Sequence, residues 1–395
     1  MEQVQATGAG DTNTAVLVAI ELSKATWLLA ICDPVTGKVS RRRVDGGDAG
    51  ALIELLERHR RNAQARTGKA IAIECVFEAG YDGFWLYRRL AQAGIACRVM
   101  DPASLKVDRR ARRVKTDRVD AESLLRALQA WRRGDHHACS FVRVPGIEEE
   151  DARRPHRELA RLTKERVGHV NRIKGLLALH GIRSYRPLRR DRWEALAELR
   201  TGYGEALPLR CRREIERELS RLELVLQHIA EVEEAMAEPA RAEEPVTAHT
   251  VEMPAPVGQD AAATLEMLTC VGRETAVVLA REVLCRGFRD RRSIAAFAGL
   301  TPSPYRSGRL QHEQGISKAG NAIVRARLIQ LAWRWVRFQT GSAITAWFVA
   351  RTEGHSKRSR RVAIVAVARK LLVALWRYVT QGLVPTGAKL RPAAA

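Results

Sequence analysis

AVLVAIELSKATWLLAICDPVTGKVSRRRV, residues 15–44, contains three short apolar segments separated by turn residues. Runs of β-branched and apolar residues bounded by residues such as Pro34 and Gly37 are typical of strands joined by tight turns. The stretch therefore predicts a three-stranded meander. The predicted strands span residues 15–22, 26–33 and 38–44.

The elements after the meander distinguish between two α/β folds. Leucines at helical spacing predict a helix at 49–66, and the apolar run 70–77 predicts a fourth strand. A helix, a strand and a helix follow at 84–93, 95–100 and 117–132. The order β-β-β-α-β-α-β-α is that of the ribonuclease-H-like fold. A doubly wound dinucleotide fold would alternate strand and helix from the start and carry G-x-G-x-x-G after the first strand, which this sequence lacks.

The second half of the chain is predicted to be all-α. Apolar residues at three/four spacing in 154–182 and 212–238 predict an antiparallel helical hairpin or coiled coil. A Pro/Ala/Glu-rich linker separates it from a mostly helical C-terminal domain. The predicted division is a tail at 1–14, an α/β domain at 15–147, a helical region at 148–240, a linker at 241–260, a C-terminal domain at 261–380 and a tail at 381–395.

The charge of the chain indicates a polyanionic partner. Its 395 residues carry a net charge of +22, and the basic residues are 56 Arg and 11 Lys. Arg pairs bidentately with phosphate and stacks on bases, and the basic residues are clustered in runs such as 109–115 and 357–361. A general bias toward Arg would not explain this clustering. Nucleic acid is therefore the expected partner.

Several classes of protein are excluded by composition. A hydrophobic fraction of 46% excludes wholesale disorder, and no apolar run approaches the roughly 18 residues of a membrane span. Residues 1–15 lack the pattern of a secretion signal. The seven cysteines form no C-x-x-C pair, which argues against a disulfide scaffold or zinc site. We expect a cytosolic protein with no membrane partner.

Four carboxylates fall at matching element ends. Glu21 ends the first strand, Glu78 ends the fourth, and Asp117 and Asp120 lie at i, i+3 on the last helix of the domain. In a ribonuclease-H-like sheet the first and fourth strands are neighbours, and their ends meet near that helix. Hard oxygen ligands of this kind suit one or two Mg²⁺ ions, which support phosphoryl displacement. The set predicts a magnesium site.

Other interpretations of these acids stay open. Taken singly, each carboxylate is better explained as a surface charge, and Asp117 as a helix N-cap. Glu74 shares strand parity with Glu78 and competes as a ligand, and Asp33 and Glu122 compete more weakly.

A second candidate lies in the turn-rich loop TPSPYRSGRLQHEQGISKAGN, residues 301–321. Ser307 precedes a glycine and is flanked by Arg306 and Arg309, whose guanidinium groups suit the charge of a pentacoordinate phosphate. The spacing alone favours an ordinary Ser-Gly turn with solvated arginines. The rival candidates are Ser303, Tyr305, His312, Ser317 and Lys318.

The third candidate is the Trp- and Arg-rich segment RARLIQLAWRWVRFQ, residues 325–339. Its aromatic rings could stack on bases beside phosphate-binding arginines. Helical spacing favours a core role for Leu328, Leu331 and Trp335.

Taken together, these stretches resemble one family. The strings are VAIELSKATWLLAICDP, CVFEAGYDGFWLYRRLAQAGIACRVMDP, KTDRVDAESLLRAL, NRIKGLLALHGI and FAGLTPSPYRSGRLQHEQGISKAGNAIVRARLI. In this order they resemble the insertion-sequence one-hundred-and-ten transposases, the DEDD-type transposases related to a pilin-gene invertase. The resemblance implies a Holliday-junction-resolvase-like N-terminal domain, a coiled-coil spacer and a C-terminal transposase domain.

The resemblance also implies a mechanism. Glu21, Glu78, Asp117 and Asp120 would form the metal-binding tetrad, and Ser307 would be the nucleophile that joins covalently to DNA. A structured bridge RNA would guide the enzyme to donor and target DNA, and a dimer or tetramer would combine the serine of one subunit with the carboxylates of another. Two positions depart from the family pattern: its first tetrad residue is usually Asp, and its Ser-Gly is often preceded by another serine where this chain has Arg306.

The prediction is a DNA recombinase with a serine–phosphate intermediate, acting in the bacterial cytosol on nucleoid DNA. Two alternatives stay open: a metal-dependent, structure-specific nuclease without a covalent step, and a non-catalytic basic scaffold that binds RNA or DNA. The residues expected to contact nucleic acid are Arg109, Arg110, Lys115, Arg172, Lys174, Arg306, Arg309 and Lys318.

Overall fold

A computed structural model of the chain describes residues 15–80, 83–105, 117–237, 261–307 and 310–392. Only the backbone is described at 103, 117–119, 237, 305–307 and 310–313. The chain divides into two compact units, Met1–Val144 and Pro145–Ala395. In the described parts of the chain, no helix has both the length and the apolar character needed to cross a membrane.

A mixed five-stranded sheet forms the centre of the first unit. Its strands are β1 (Ala15–Glu21), β2 (Thr26–Cys32), β3 (Val39–Asp45), β4 (Ala72–Glu78) and β5 (Ala96–Met100). They lie in the order β3-β2-β1-β4-β5. The first three form the predicted antiparallel meander, and β4 and β5 run parallel to β1. The sequence of β1 suits a central strand, because its first six residues are apolar. All six are buried.

Helices cover both faces of this sheet. They are α1 (Ala49–Thr67), α2 (Trp85–Gln92) and α3 (Asp117–Arg132). One apolar core includes Val18, Ile20 and Phe77 of the sheet with Leu52 and Leu90 of the first two helices. A second core lies on the opposite face, against α3. The edge strand β3 exposes three consecutive arginines, which discourages further strand pairing at that edge.

The second unit begins with the helices α4 (Ile147–Asp151), α5 (Arg154–Ala178), α6 (Arg192–Ala197) and α7 (Leu209–Ala237). The long helices α5 and α7 pack together, and we call this pair the helical hairpin. α5 and α7 run antiparallel, because Leu162 packs in one cluster with Val225 while His169 Nδ1 lies 2.7 Å from Glu218 Oε2 nearer the tip. The hairpin predicted from the apolar periodicity is confirmed.

The C-terminal part of the second unit is mostly helical, as predicted. Its helices are α8 (Ala261–Glu266), α9 (Arg273–Leu279), α10 (Arg291–Phe297), α11 (Ala322–Phe338), α12 (Ala343–Thr352) and α13 (Lys357–Gln381). A π-helical turn, Ala280–Leu284, directly follows α9. Trp335 and Leu371 lie at the centre of an apolar core shared by these helices.

The segment predicted to be a turn-rich loop differs from expectation. It forms two antiparallel strands, β6 (Pro302–Ser307) and β7 (Leu310–Ile316), that pair with each other as a separate two-stranded sheet. We call this pair the serine hairpin. Its strands are stabilised by their mutual backbone hydrogen bonds and therefore need no apolar alternation that a sequence could display.

Candidate functional site

The register of the sheet places Glu21 beside Glu78. β1 and β4 are parallel neighbours, and their last paired residues are Ile20 and Phe77. The next residue on each strand is a glutamate, and both glutamates are half-buried. Neighbouring strands lie about 4.8 Å apart, so the two carboxylates leave the sheet at adjacent positions. We call this side of the sheet, at the carboxyl ends of β1 and β4 with Glu21 and Glu78, the glutamate edge.

Both glutamates lie on the face of the sheet that α3 covers. Side chains alternate along a strand, so Glu21 shares a face with Ala19, and Glu78 shares a face with Val76. Ala19 and Val76 belong to the same core as Ala121 of α3. The helix that carries the two predicted aspartates therefore packs on the glutamate face.

Side-chain contacts determine the direction of α3. Gln129, in the second half of the helix, donates a hydrogen bond to Cys32 Sγ at 3.3 Å, and Cys32 pairs with Leu17 near the beginning of β1. Arg132 Nη1 lies 3.6 Å from Glu74 Oε1, two strand residues into β4. The C-terminal end of α3 thus lies near the beginnings of β1 and β4, and the helix runs antiparallel to both.

The N-terminal turn of α3 therefore reaches the glutamate edge. From Gln129 back to Asp120 is roughly 13 Å along a helix, and from Leu17 to Glu21 is roughly 13 Å along a strand. Asp120 is half-buried and lies at about the level of Glu21. α3 begins at Asp117, as predicted, but the side chain of Asp117 lies outside the described part of the structure.

The backbone brings Glu21, Glu78 and the N-terminal turn of α3 to one edge of the sheet. Within the described side chains, no three His, Cys, Asp or Glu residues form a group that could hold a metal ion. The chemistry of the donors nevertheless suits a hard cation, since all four predicted ligands are carboxylates.

The competing acid Glu74 has other partners. It lies on the same face of β4 as Glu78 but four residues earlier. Arg98 Nη1 approaches its Oε2 at 3.4 Å, and Arg132 approaches its other oxygen. Glu74 is therefore paired with two guanidinium groups and lies four residues before the glutamate edge.

Asp33 and Glu122, the weaker competitors, are also paired with arginines. Asp33 forms a short ion pair with Arg66. Burial alone would raise the pKa of Asp33, but the hydrogen bonds from Arg66 and from two backbone N–H groups outweigh it and lower that pKa to about 2. Glu122 Oε1 accepts a hydrogen bond from Arg41 Nε at 2.7 Å.

Ser307 is the last residue of β6, where it pairs with Leu310. Residues 308–309, which connect the strands and include Arg309, lie outside the described residues, as do the side chains of Arg306 and Ser307. The backbone places Ser307 at the far end of the serine hairpin from its connection to the helices.

The rival residues lie elsewhere on this hairpin. Tyr305 pairs with His312 farther from the tip, and both side chains are outside the described part. Ser303 is half-buried near the start of β6. The hydroxyl of Ser317 accepts a hydrogen bond from Thr301 Oγ1 at 3.2 Å, at the opposite end of the hairpin from Ser307.

Close backbone contacts join the two segments next to the serine hairpin, residues 297–301 before it and 317–321 after it. We call these two segments the foot of the serine hairpin. Ser317 N donates to Thr301 O at 2.8 Å, and Asn321 N donates to Phe297 O at 2.8 Å. Gly320 has a φ of +89°, and a Cβ at this position would overlap the carbonyl oxygen of Phe297. A side chain at residue 320 is therefore excluded twice, by conformation and by space.

Gly320→Ala is expected to destabilise the second unit by at least about 1–3 kcal/mol, the usual strain of a left-handed non-glycine residue, with the steric overlap added. Gly315→Ala is the matched control, since Gly315 has a φ of +85° but open space at its Cβ position. Thermal unfolding of both variants measures the difference. Equal unfolding midpoints for Gly320→Ala and Gly315→Ala would show that the close backbone contact at residue 320 does not contribute to stability.

A buried ion cluster adjoins this foot and was missed by sequence reasoning. Glu282, in the π-helical turn, is 1% exposed. Its carboxylate lies 2.7 Å from His156 Nε2 and accepts hydrogen bonds from Arg157 Nε at 2.6 Å and from Asn321 Nδ2 at 2.9 Å. The signal in the sequence was a single acidic residue in the apolar run TAVVLAREVL. Its partners, up to 126 residues away, gave no such signal.

These contacts determine the charge of Glu282. Burial alone would raise its pKa, but the hydrogen bonds from His156 and Arg157, with their charges, outweigh burial and hold the pKa of this carboxyl well below its usual range. Glu282 is therefore a buried carboxylate anion at neutral pH.

The predicted nucleic-acid contacts are only partly visible. Arg109, Arg110 and Lys115 lie outside the described residues. Lys174 and Lys318 are exposed, and Lys318 has a left-handed φ of +55°. Arg172 is exposed but its guanidinium pairs with Glu214 across the helical hairpin.

The Trp- and Arg-rich segment forms α11 and divides into two faces. Leu328, Leu331 and Trp335 are buried, which confirms their predicted core role. Trp333 and Phe338 are 43% and 51% exposed and lie on the outer face.

Comparisons with known proteins identify the class of this chain. Residues 262–347, which include the serine hairpin and Glu282, match the model of the transposase IS116/IS110/IS902 family. The chain is 46% identical to the putative transposase y4rJ of Sinorhizobium fredii over 95% of both proteins. It is 26% identical to the transposase for insertion sequence element IS1111A of Coxiella burnetii, over 85% of this chain and 86% of that protein. It is 28% identical to a probable family 20 transposase of Pseudomonas aeruginosa, over 78% and 82%.

The chain is therefore a transposase, an enzyme that acts on DNA. It belongs to the IS116/IS110/IS902 family, as the resemblance of its motifs predicted.

Proposed function

We propose that this transposase cuts and rejoins DNA strands through a covalent bond between Ser307 and a DNA phosphate. Carboxylates at the glutamate edge of a ribonuclease-H-like domain would assist the reaction. The observation that supports this proposal best is the geometry of that edge: Glu21 and Glu78 follow the last paired residues of parallel neighbours, and α3 brings Asp120 to the same level. The strand order β3-β2-β1-β4-β5 agrees with the fold assignment.

In the proposed step, Ser307 Oγ attacks the phosphorus of a phosphodiester. The bond from phosphorus to one sugar oxygen breaks, the serine proton passes to solvent or a nearby base, and the released sugar oxygen takes up a proton. A sugar hydroxyl of another strand then attacks the serine–phosphate ester, which restores the serine and joins the strands. The phosphodiester count is conserved, so the exchange needs no external energy source.

Glu21, Glu78, Asp117 and Asp120 would hold Mg²⁺ through their oxygens. When bound, the cation would stabilise the charge that develops on the phosphate. Glu21 replaces the shorter Asp usual in this family, and the additional methylene must be accommodated by the octahedral geometry that Mg²⁺ demands.

A structured RNA encoded beside the gene is the proposed guide, and a dimer or tetramer the proposed assembly. The charge of +22 suits polyanionic partners, and both RNA and DNA are polyanions. The assembly would allow a serine from one subunit to act with carboxylates of another.

The reaction is tested with purified protein, DNA carrying the ends of the element and RNA transcribed from the flanking noncoding stretch. We expect a joined product that requires both the RNA and Mg²⁺. A product that forms equally well in EDTA would contradict the metal site, and one that forms without RNA would contradict the guide.

The helices α11–α13 provide a surface suited to a DNA strand. Residues 322–381 contain twelve Lys and Arg and a single acidic residue, Glu353. On α11 the exposed Arg334 and Arg337 lie between the exposed rings of Trp333 and Phe338 on one arc of the helix. Aromatic rings beside cations stack on unpaired bases while the cations bind the backbone.

Trp333→Ala and Phe338→Ala are each expected to weaken binding of single-stranded DNA about tenfold, since stacking contributes about 1–3 kcal/mol per base. Leu383→Ala is the matched control, because Leu383 is 56% exposed and apolar but has no ring. Fluorescence anisotropy with a labelled oligonucleotide measures the affinities. Unchanged binding in both aromatic variants would exclude this face as the contact surface.

A further inference from the structure

The Glu282 carboxylate connects two separate elements of the second unit. His156 and Arg157, in the first turn of α5, bind it from the helical hairpin, and Arg157 contacts both carboxylate oxygens, at 2.6 and 3.0 Å. Asn321, at the foot of the serine hairpin, binds the second oxygen at 2.9 Å. Donors from both elements therefore share one anion, and the position of either affects the hydrogen bonds of the other.

The orientation of Asn321 is determined on three sides. Its Oδ1 accepts hydrogen bonds from Ile323 N at 3.0 Å and Val324 N at 3.1 Å, which caps α11. Its backbone N–H donates to Phe297 O, and its Nδ2 donates to Glu282. The amide cannot rotate to follow a displaced Glu282 without losing the helix cap.

Four residues, 317–320, separate β7 from Asn321, and backbone hydrogen bonds restrict their movement. Ser317 and Lys318, which follow β7, donate backbone hydrogen bonds to Thr301 O and Gly299 O, which precede β6. Gly320 allows the two segments to approach more closely than any side chain would permit. A shift of Asn321 is therefore transmitted to both strands of the hairpin.

The start of α5 is also attached to the turn that carries Glu282. Arg281 Nη1 donates to Ala152 O at 2.8 Å, and Arg153 Nη2 lies 3.5 Å from Cys285 Sγ. π-Helical turns occur frequently at functional sites. A buried ion cluster contributes little net stability because desolvation offsets the attraction, so its main effect here is to specify geometry.

We propose that Glu282 is a positioning residue that couples the base of the helical hairpin to the serine hairpin, so that the orientation of α5 sets the position of Ser307. This inference rests on the proposed role of Ser307. Nucleic acid or a second subunit that displaces the helical hairpin would thereby move the nucleophile into or out of its reacting position.

The most selective test is Asn321→Ser. Serine caps helices about as well as asparagine, so α11 keeps its cap while the donor to Glu282 is lost. We expect the rate of covalent Ser307–DNA adduct formation to fall about threefold to thirtyfold, with DNA affinity and thermal midpoint nearly unchanged. Amide hydrogen exchange in residues 302–316 should become faster, whereas exchange at the centre of α11 should not.

Arg157→Gln removes the two hydrogen bonds from Arg157, on the helical hairpin, to the Glu282 carboxylate. The Arg157 side chain is 47% exposed, so this change leaves no buried hole. It should act in the same direction as Asn321→Ser, and the double variant should be less impaired than the product of the single effects, as expected for one network. Arg161→Gln is the control, since Arg161 lies one turn later on α5 and pairs with Glu158 and Glu165 of its own helix.

The outcomes separate the two proposals. If wild-type protein forms the Ser307 adduct and both cluster variants match it in adduct rate and hairpin exchange, the coupling is refuted and the proposed function stands. If wild-type protein forms no adduct, the proposed function fails, and hydrogen exchange of the serine hairpin still decides whether Glu282 couples the two elements. Equal effects of Arg161→Gln and Arg157→Gln would also refute the coupling.

Discussion

Asp120→Asn is expected to reduce DNA cutting by about three orders of magnitude while leaving the fold and DNA binding intact. Asn has the size of Asp but no charge, and a metal ligand of this kind stabilises the transition state by several kcal/mol, with about 1.4 kcal/mol for each tenfold in rate. Asp120 is half-buried in the N-terminal turn of α3, at the level of Glu21. Gel analysis of single-turnover strand cutting over a range of Mg²⁺ concentrations measures the effect.

Glu74→Gln is the matched control for this prediction. Glu74 is also an acid on the α3-facing side of the sheet, but its carboxylate lies against Arg98 and Arg132 and four residues before the glutamate edge. We expect it to keep cutting within a few-fold of wild type, at some loss of stability. If Glu74→Gln abolishes cutting and Asp120→Asn does not, the metal site has been assigned to the wrong acids.

Ser307→Ala is expected to eliminate the covalent protein–DNA adduct entirely. In the proposed mechanism, loss of the hydroxyl removes the nucleophile, and neither the proposed metal site nor the basic surface would replace it. DNA affinity should stay within about twofold of wild type. Denaturing electrophoresis of a reaction with labelled DNA resolves the adduct from free DNA.

Two variants make this second prediction specific. Tyr305→Phe tests the main rival nucleophile, and Ser303→Ala tests the other serine on the same strand; both should retain the adduct. The nuclease alternative predicts that Ser307→Ala still cuts DNA at the wild-type rate. The scaffold alternative predicts that neither Asp120→Asn nor Ser307→Ala has any measurable effect beyond those of the controls.

Much of the first unit could be predicted from its sequence, for identifiable reasons. The first six residues of β1 are apolar because it is the central strand, and α3 was predicted at its observed bounds, Asp117–Arg132, because its leucines keep helical spacing. The position of Glu21 beside Glu78 required only the end of each strand and the assumption that β1 and β4 are neighbours.

The second unit was less predictable where long-range contacts dominate. The serine hairpin contains Pro302, Pro304 and Gly315, which favour a loop by local propensity, yet its two strands pair through the backbone. Glu282 binds His156 and Asn321, which no spacing rule connects. Local patterns report which face of an element is buried, but they do not report which distant polar groups meet there.

The most direct test of the proposed active centre, Ser307 together with the carboxylates of the glutamate edge, is peptide mapping of the protein–DNA adduct by mass spectrometry, with and without Mg²⁺. We expect a single modified peptide carrying the nucleotide on Ser307, formed by wild-type protein only with Mg²⁺ and absent in Asp120→Asn. A nucleotide attached to Tyr305 or another residue, or an adduct on Ser307 that forms equally well in Asp120→Asn or without a divalent cation, would contradict it.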